Sequence, residues 1–206
     1  MALRSRPFPA HHAYIARHCC QPRNRSMRMS MITVVASVCA ATLRAVALDG
    51  PKPAPLTSVS NVDLKRYIGK WYEIARYPNR FQRECASDTT AEYELKPNGK
   101  VRVVNTCHKG DGASKKASGT AKVVDPSNAR LKVTFFWPFY GDYWIIGLDP
   151  EYRWAVVGEP GRKYLWILSR TPHMLEADYQ QAVEQARMAG YDPQRLVKTP
   201  QSVSLK

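Results

Sequence analysis

The sequence predicts an all-β fold of eight antiparallel strands, with one C-terminal α-helix packed outside and a short ninth strand after it. Two observations lead to this prediction. From Val62 onward, short segments alternate apolar and polar residues, as half-buried strands do, and turn residues close each segment. Near the C-terminus, one longer segment repeats apolar residues at helical spacing instead. Eight strands joined by brief loops are typical of a β-sandwich or an up-and-down β-barrel.

The boundaries of the elements follow from the alternation and from the turn residues between segments. One helix is predicted over residues 175–189, with Tyr179 and Ala182 on its apolar face and Gly190 as its stop. The short ninth strand is expected around residues 196–199. The eight main strands are predicted at residues 70–77, 89–96, 100–107, 117–124, 130–136, 142–148, 153–158 and 164–170.

The turn between the second and third strands decides which side chains share a face. A two-residue Asn98-Gly99 turn would place Leu95 opposite Arg102, whereas a three-residue loop with Gly99 in the left-handed region places Leu95 opposite Val101. We predict the second register because it collects apolar side chains on one face. That face would contain Ala91, Tyr93, Leu95, Val101 and Val103.

The positive charge of the chain is concentrated near its N-terminus. The 206 residues include 31 basic and 17 acidic side chains, a formal net charge of +14. Residues 1–47 hold seven arginines and no Asp, Glu or Lys, so 24 basic and 17 acidic residues remain beyond them, a net charge of +7. Because the excess lies largely in this segment, no nucleic-acid partner is predicted.

The same N-terminal segment has the features of an export signal. A basic stretch from Arg23 to Arg28 precedes an apolar run from Met29 to Leu43, and Ala45-Val46-Ala47 offers the small residues of a cleavage site. We predict residues 1–47 as a leader whose upstream part precedes the true start methionine, residues 48–60 as a flexible lead-in and residues 61–206 as the folded domain. The alternatives are an organelle presequence and lipid attachment at Cys39.

The cysteines agree with export. Three of the five lie in residues 1–47, which leaves Cys85 and Cys107 in the folded domain. The preferred register places Cys107 opposite Thr89, only four residues beyond Cys85, so we predict a disulfide between the two cysteines. It would close a loop of about 22 residues and stabilise the fold by roughly 3 kcal/mol. Two free buried thiols are the alternative.

Three blocks of sequence resemble the lipocalin family. The segment Gly69-Lys70-Trp71-Tyr72-Glu73-Ile74-Ala75 resembles the Gly-x-Trp signature of that family, and Tyr164 to Pro172 resembles its last-strand motif. The segment Phe136 to Leu148 is similar to the bacterial outer-membrane branch of the family. The resemblance extends over about residues 61 to 200. It implies an eight-stranded antiparallel up-and-down β-barrel that binds a small hydrophobic ligand.

The closed end of such a barrel is predicted from strand pairing. The last strand pairs with the first and runs against it, which brings Trp71 and Arg170 to the same rim. An arginine stacked over the indole would gain roughly 1–2 kcal/mol and close that end with a flat apolar lid. We therefore predict Gly69, Trp71 and Arg170 as structural residues of the closed end.

The loops at the opposite end form the predicted mouth. They hold seven basic and four acidic residues, and the loop after the fifth strand adds Trp137, Phe139 and Tyr140. A basic and aromatic mouth suits a ligand with an acyl tail and an anionic or zwitterionic head. Residues two apart share a face of a strand, so alternation also identifies side chains that point inward. The predicted ligand-binding residues are Tyr77, Tyr93, Val103, Phe135, Tyr140, Tyr143 and Trp166.

The predicted function is binding, transport or storage of a fatty acid or lysophospholipid in the cell envelope, in the periplasm or at the outer membrane. No catalytic residue, metal site or cofactor is predicted, because His108 and His173 lack metal-ligand spacing and no nucleophile or phosphate-binding motif is present. The alternative is an isomerase or lipid-modifying enzyme on the same barrel, with Glu73 or a tyrosine as acid. Membrane association and a homodimer are further hypotheses about partners.

Overall fold

A computed structural model of the protein describes residues 54–202, so the predicted leader, residues 1–47, lies outside the described residues. No helix among the described residues has the length and apolar character needed to cross a membrane. Short 3₁₀ helices at Arg80–Gln82 and Pro193–Arg195 join longer elements. Those elements are, in chain order, α1 (Leu64–Tyr67), β1 (Gly69–Arg76), β2 (Cys85–Leu95), β3 (Val101–Lys109), β4 (Ser114–Val123), β5 (Arg130–Phe136), β6 (Phe139–Leu148), β7 (Trp154–Gly158), β8 (Leu165–Ser169), α2 (Glu176–Met188) and β9 (Val197–Lys198).

The eight main strands form a closed antiparallel barrel, which confirms the predicted fold class. Each of β2 to β7 pairs with the next strand in the chain, and β1 then pairs with β8 on one side and with β2 on the other. The closing contacts overlap at Tyr72, which lies opposite Ser169 of β8 and Thr90 of β2. No strand of the barrel is left as a free edge at this position, because β1 is hydrogen-bonded on both sides.

The β2–β3 hairpin has the predicted three-residue loop. Leu95 lies opposite Val101 and Tyr93 opposite Val103. Gly99 adopts φ of 75° and donates its backbone N–H to the Lys96 carbonyl at 2.9 Å. Glycine has no Cβ and adopts this left-handed conformation at little cost. The turn that it allows sets the register in which Val101 and Val103 are buried.

Two apolar clusters stabilise the fold, one inside the barrel and one between the barrel wall and α2. The inner cluster includes Trp71, Tyr93 and Val103. The outer cluster includes Ala182 and Ala186, the two fully buried alanines of α2, together with apolar side chains on the outward face of β6 to β8. On β6, alternation could not decide between the two faces; in the structure, Tyr143 and Ile145 belong to the inner cluster and Trp144 and Ile146 to the outer one.

A bulge in β1 overturns one predicted position. Glu73 lies opposite Leu168 of β8 and Ala75 opposite Ile167, so one extra residue of β1 separates the two pairs. Such a bulge shifts the alternation by one, and every later side chain of the strand changes face. The prediction that Tyr77 points into the lumen is therefore wrong: Tyr77 packs edge-on against Tyr191 in the outer cluster.

The C-terminal segment completes the barrel near the mouth. β9 pairs with the last residues of β1, and beyond it Gln201 donates from Nε2 to the carbonyls of Glu73 at 2.8 Å and Thr89 at 3.0 Å. Asp88 of β2 donates its N–H to the Pro200 carbonyl at 2.8 Å. The segment thus bridges β1 and β2 where their direct pairing has ended, a role that the prediction of a short ninth strand did not include.

Candidate functional site

The closed end of the barrel is built around Trp71, which is fully buried. The guanidinium carbon of Arg170 lies 3.8 Å from the centroid of the indole ring. Arg170 also donates to the backbone carbonyls of Lys70 at 3.0 Å and Tyr67 at 3.1 Å, while the indole Nε1 donates to the Tyr67 carbonyl at 2.8 Å. Gly69 precedes this site with φ of 95°. Arg170 and Trp71 together hold α1 across the end of the barrel.

Three tyrosine hydroxyls form a chain above this floor. The hydroxyl of Tyr143 lies 2.8 Å from that of Tyr67 and 2.9 Å from that of Tyr93. Burial raises the pKa of Tyr93 to about 12 and raises the pKa of the other two hydroxyls as well, so all three are neutral donors. Two hydrogen bonds within the chain use two of its three protons, so one proton is left to donate to another acceptor. Tyr67 was not among the predicted site residues because α1 was not predicted.

The inward-facing residues of β4, β5, β6 and β8 differ in exposure from the floor of the barrel to its mouth. Val101 and Leu131 are buried near the floor, and Val133 and Trp166 are half-buried further up. Ala117 faces inward through its pairing with Asn105, yet it is exposed to solvent near the mouth. Exposure of inward-facing residues increases toward the mouth, so solvent reaches the upper lumen from that end, and we call this upper lumen the cup. Gly141, opposite Val133, adds no side chain to the cup.

Phe135 stands at the upper edge of the cup. A Cβ built on the inward-facing Gly119 would lie 2.8 Å from the Phe135 ring and 2.5 Å from the Thr134 carbonyl oxygen. The Phe135 ring therefore packs against a backbone position that has no side chain. This contact places one aromatic ring between the lumen and the β5–β6 turn.

The wall formed by β1 and β2 carries a buried polar network. Glu73 is buried; its carboxylate accepts hydrogen bonds from Gln82 Nε2 and Thr199 Oγ1, and the Arg76 guanidinium lies 3.6 Å away. Burial raises the pKa of Glu73, although those two hydrogen bonds and the nearby guanidinium oppose the shift. Gln82 Oε1 accepts from Trp166 Nε1 at 2.9 Å, so the network joins the β1–β2 loop to an inward-facing tryptophan of β8.

An aromatic stack leads from the rim into the lumen. The centroid of the Phe81 ring lies 5.6 Å from that of Tyr164, and Tyr164 stacks on Trp166 with centroids 5.9 Å apart. Phe81 is held there because the side chain of Asn79 caps the 3₁₀ helix, accepting from the N–H groups of Phe81 and Gln82. Neither Phe81 nor Gln82 was among the predicted site residues; an asparagine two residues before the phenylalanine was the available signal.

Some basic side chains of the mouth are already bound by other groups of the protein, and others are exposed. Arg162 binds the carbonyls of Ala189 and Ala54 with its guanidinium, which makes it a structural residue rather than a rim charge. Lys115 pairs with Glu84 at 2.7 Å. Arg80, Arg83, Lys116 and Lys163 are exposed. The rim therefore has an excess of basic side chains, as the sequence predicted, but fewer of them are unpaired than the sequence suggested.

Tyr140 was predicted to bind ligand at the mouth, but it lies on the outer face of β6. Its neighbours in the alternation, Gly141 and Tyr143, face inward, and Lys122 of β4 places its ammonium 5.0 Å from the centroid of the Tyr140 ring on the outside of the barrel. The structure thus places five of the seven predicted ligand-binding residues on the inward face and two on the outer face. The inward five are Tyr93, Val103, Phe135, Tyr143 and Trp166.

The predicted disulfide is present. Cys85 and Cys107 are bonded across β2 and β3 and stand 22 positions apart in sequence. Thr90 lies opposite Thr106, as the predicted register requires, and two register shifts in β2 before Thr90 then bring Cys85 to its partner. The bond ties the end of the β1–β2 loop to β3. Among residues 54–202, no three His, Cys, Asp or Glu side chains are grouped so that they could hold a metal ion.

Comparison with known proteins agrees with this architecture. A family model described as a lipocalin-like domain matches residues 62–201. The outer membrane lipoprotein Blc of Citrobacter freundii is 44% identical over 171 residues, which cover 82% of this chain and 96% of that protein. Temperature-induced lipocalin-1 of Arabidopsis thaliana is 44% identical over 153 residues, which cover 70% of this chain and 82% of that protein.

A solved structure supports the fold at a greater distance. Insecticyanin from the tobacco hornworm Manduca sexta superposes with a TM-score of 0.60 at 19% identity, covering 74% of this chain and 87% of the other. At that identity the likeness concerns the fold alone. Together with the barrel closed over Trp71 and Arg170, the family match and the two relatives show that this chain belongs to the lipocalin family, whose members bind small hydrophobic ligands.

Proposed function

We propose that this protein binds a single-chain lipid, a fatty acid or a lysophospholipid, in its barrel and carries or stores that lipid in the cell envelope. The observation that carries the proposal is the graded exposure of the inward-facing residues on β4 to β6 and β8, from buried Leu131 to exposed Ala117. A cup lined by apolar and aromatic side chains accepts an acyl chain, because transfer of its methylene groups from water is favourable.

The rim supports a lipid with a polar head. Exposed Arg80, Arg83, Lys116 and Lys163 stand around the opening, and they would attract a carboxylate or phosphate left at the surface once the acyl chain had entered. The unused hydroxyl proton of the tyrosine chain supports binding of an acceptor deeper in the barrel. An acyl chain with an anionic or zwitterionic head meets both requirements.

The envelope location rests on the leader and on the relatives. Blc of Citrobacter freundii, and its counterparts in Escherichia coli and Vibrio cholerae, are named outer membrane lipoproteins. Mass spectrometry of the protein recovered from cell fractions would test the location and the processing together. Cleavage after Ala47 would give an unmodified N-terminus, whereas acylation at Cys39 would add the mass of the attached lipid. Recovery of the intact chain from the cytoplasm would refute the proposal of export.

Ligand binding is tested by adding oleate or lysophosphatidylcholine to delipidated protein and following tryptophan fluorescence. We expect a saturable change, because Trp166 faces the lumen. In Gly141→Leu the new side chain would point into the cup, where the nearest atom to a Cβ is the Val133 carbonyl oxygen at 4.0 Å, so affinity should fall at least about tenfold without unfolding. Gly110→Leu in the β3–β4 turn, where a Cβ meets nothing within 4 Å, is the matched control.

The same experiment separates a carrier from an enzyme. The relatives described above have the names of lipocalins and lipoproteins, and both carboxylate oxygens of buried Glu73 accept hydrogen bonds from the protein itself. We expect the lipid recovered after incubation to be chemically unchanged by mass spectrometry. An altered lipid would favour the enzyme hypothesis, and a lack of any response to both lipids, with no lipid co-purified, would overturn the proposal of a carrier.

A further inference from the structure

The turn between β5 and β6 exposes a compact group of aromatic side chains at the mouth. Phe136, Trp137 and Phe139 are 81%, 82% and 78% exposed, and only Pro138 separates the last two. We call residues 136–139 the aromatic tip. Single exposed apolar residues are common on protein surfaces, but three large aromatic side chains on one turn form a patch that favours a partner.

The surroundings of the aromatic tip indicate the chemistry of that partner. Tyr140 follows the tip on the outer wall, where the Lys122 ammonium lies over its ring. Arg80, Arg83, Lys116 and Lys163 are exposed on loops and strand ends of the same mouth. Tryptophan and phenylalanine partition into the headgroup region of a bilayer, and basic side chains around them bind anionic headgroups.

We propose that the aromatic tip inserts into the surface of a bilayer that contains anionic phospholipid, so that the mouth of the barrel faces the membrane. The inference rests on the proposed function, because a carrier of membrane lipids must meet the bilayer that supplies or receives them. A second copy of the chain fits the tip less well. Two copies related by a twofold axis through this face would bring two basic rims together, and like charges facing one another oppose association.

The route between membrane and lumen is continuous in this orientation. Phe135 immediately precedes the aromatic tip, is 38% exposed and packs inward over Gly119. Apolar surface therefore extends from the tip, over the rim at Phe135, to Val133 in the cup. An acyl chain could pass along this surface without full exposure to water, which lowers the barrier that desolvation and rehydration would impose on transfer.

Sedimentation with vesicles tests the proposal. Purified protein is mixed with vesicles of phosphatidylcholine alone or of phosphatidylcholine mixed with phosphatidylglycerol, at low and high salt. We expect binding to the mixed vesicles that weakens at high salt, and a loss of at least about tenfold in the partition coefficient for the double variant Trp137→Ser, Phe139→Ser. Met188→Ser is the matched control, because Met188 is an equally conspicuous apolar side chain exposed on α2. Quenching of tryptophan fluorescence by brominated acyl chains should disappear in Trp137→Phe.

Each outcome has a definite meaning. Equal binding of the double variant and the unmodified protein, or no binding of either to mixed vesicles, would overturn the proposal. A double variant that changes the molecular mass in solution from dimer to monomer would assign the tip to a second copy and would also overturn it. Oleate binding in solution, without vesicles, is measured separately on the unmodified protein. A failure of oleate binding in the unmodified protein would count against the carrier function alone.

Discussion

Removal of the Arg170 side chain should cost this barrel a large part of its stability. Arg170→Ala abolishes the stacking on Trp71, worth roughly 1–2 kcal/mol where the cation is partly desolvated. It also removes the hydrogen bonds that a charged donor makes to the carbonyls of Lys70, Arg66 and Tyr67, which hold α1 to β1. Because two of these three bonds lie at the exposed surface, we take about 1 kcal/mol for each bond, and with the stacking the total loss is about 4–5 kcal/mol. For a domain of this size the melting temperature should fall by about 10 °C.

Urea unfolding followed by far-ultraviolet circular dichroism, with the disulfide intact, measures the effect. Arg170→Lys should lose about half as much, since an ammonium keeps the charge but neither stacks flat nor reaches several carbonyls at once. Arg102→Ala is the matched control; its side chain is half-exposed and pairs only with surface Glu94, so a loss below about 0.5 kcal/mol is expected. A loss below about 1 kcal/mol for Arg170→Ala would show that the arginine does not hold the closed end.

Three further measurements follow from the structure. Replacing Cys85 and Cys107 by serine should lower the free energy of unfolding by about 3 kcal/mol, measured in urea, because the unfolded chain regains the freedom of the 22-residue loop; an unchanged midpoint would refute this. Gly158→Ala should lower the melting temperature clearly, since its Cβ would lie 2.2 Å from the Tyr191 hydroxyl and displace it; retention of the unmodified value in calorimetry would contradict the packing. Burial raises the pKa of Glu73, so the native state holds that proton more tightly and the unmodified protein should lose stability relative to Glu73→Gln as pH rises through the native pKa; a difference independent of pH would refute this.

The prediction from sequence was strongest where local pattern and turn chemistry agreed. The β2–β3 hairpin illustrates this: the alternation of Tyr93 and Leu95 required a partner strand in one register, and Gly99 allowed the turn that produces it. The disulfide followed from the same register. β2, however, begins at Cys85, four residues before its predicted start. These first residues are mostly polar and do not alternate, so the sequence did not indicate a strand; the disulfide and the C-terminal segment hold them in the sheet.

The two misplaced site residues, Tyr77 and Tyr140, have different causes. Tyr77 was assigned to the wrong face because β1 contains a bulge, and no residue in that segment indicates one. Tyr140 was assigned to the mouth by its loop, without a strand register, and β6 proved to begin at Phe139. Period-two alternation specifies faces only within an uninterrupted strand, so one shift of register moves every later side chain.

By itself, the sequence determined the all-β class, the order of strands and helix, the disulfide and the pairing of Trp71 with Arg170, because periodicity, turn residues and strand direction are local properties that a closed barrel must obey. Only the tertiary structure decided which aromatic residues line the cup and which stand outside it. It also brought Glu73, Gln82, Trp166 and Thr199 into one network and left the aromatic tip exposed beside a basic rim. Those contacts join residues up to 126 positions apart, and their geometry depends on bulges and on the path of the C-terminal segment, which short-range patterns do not encode.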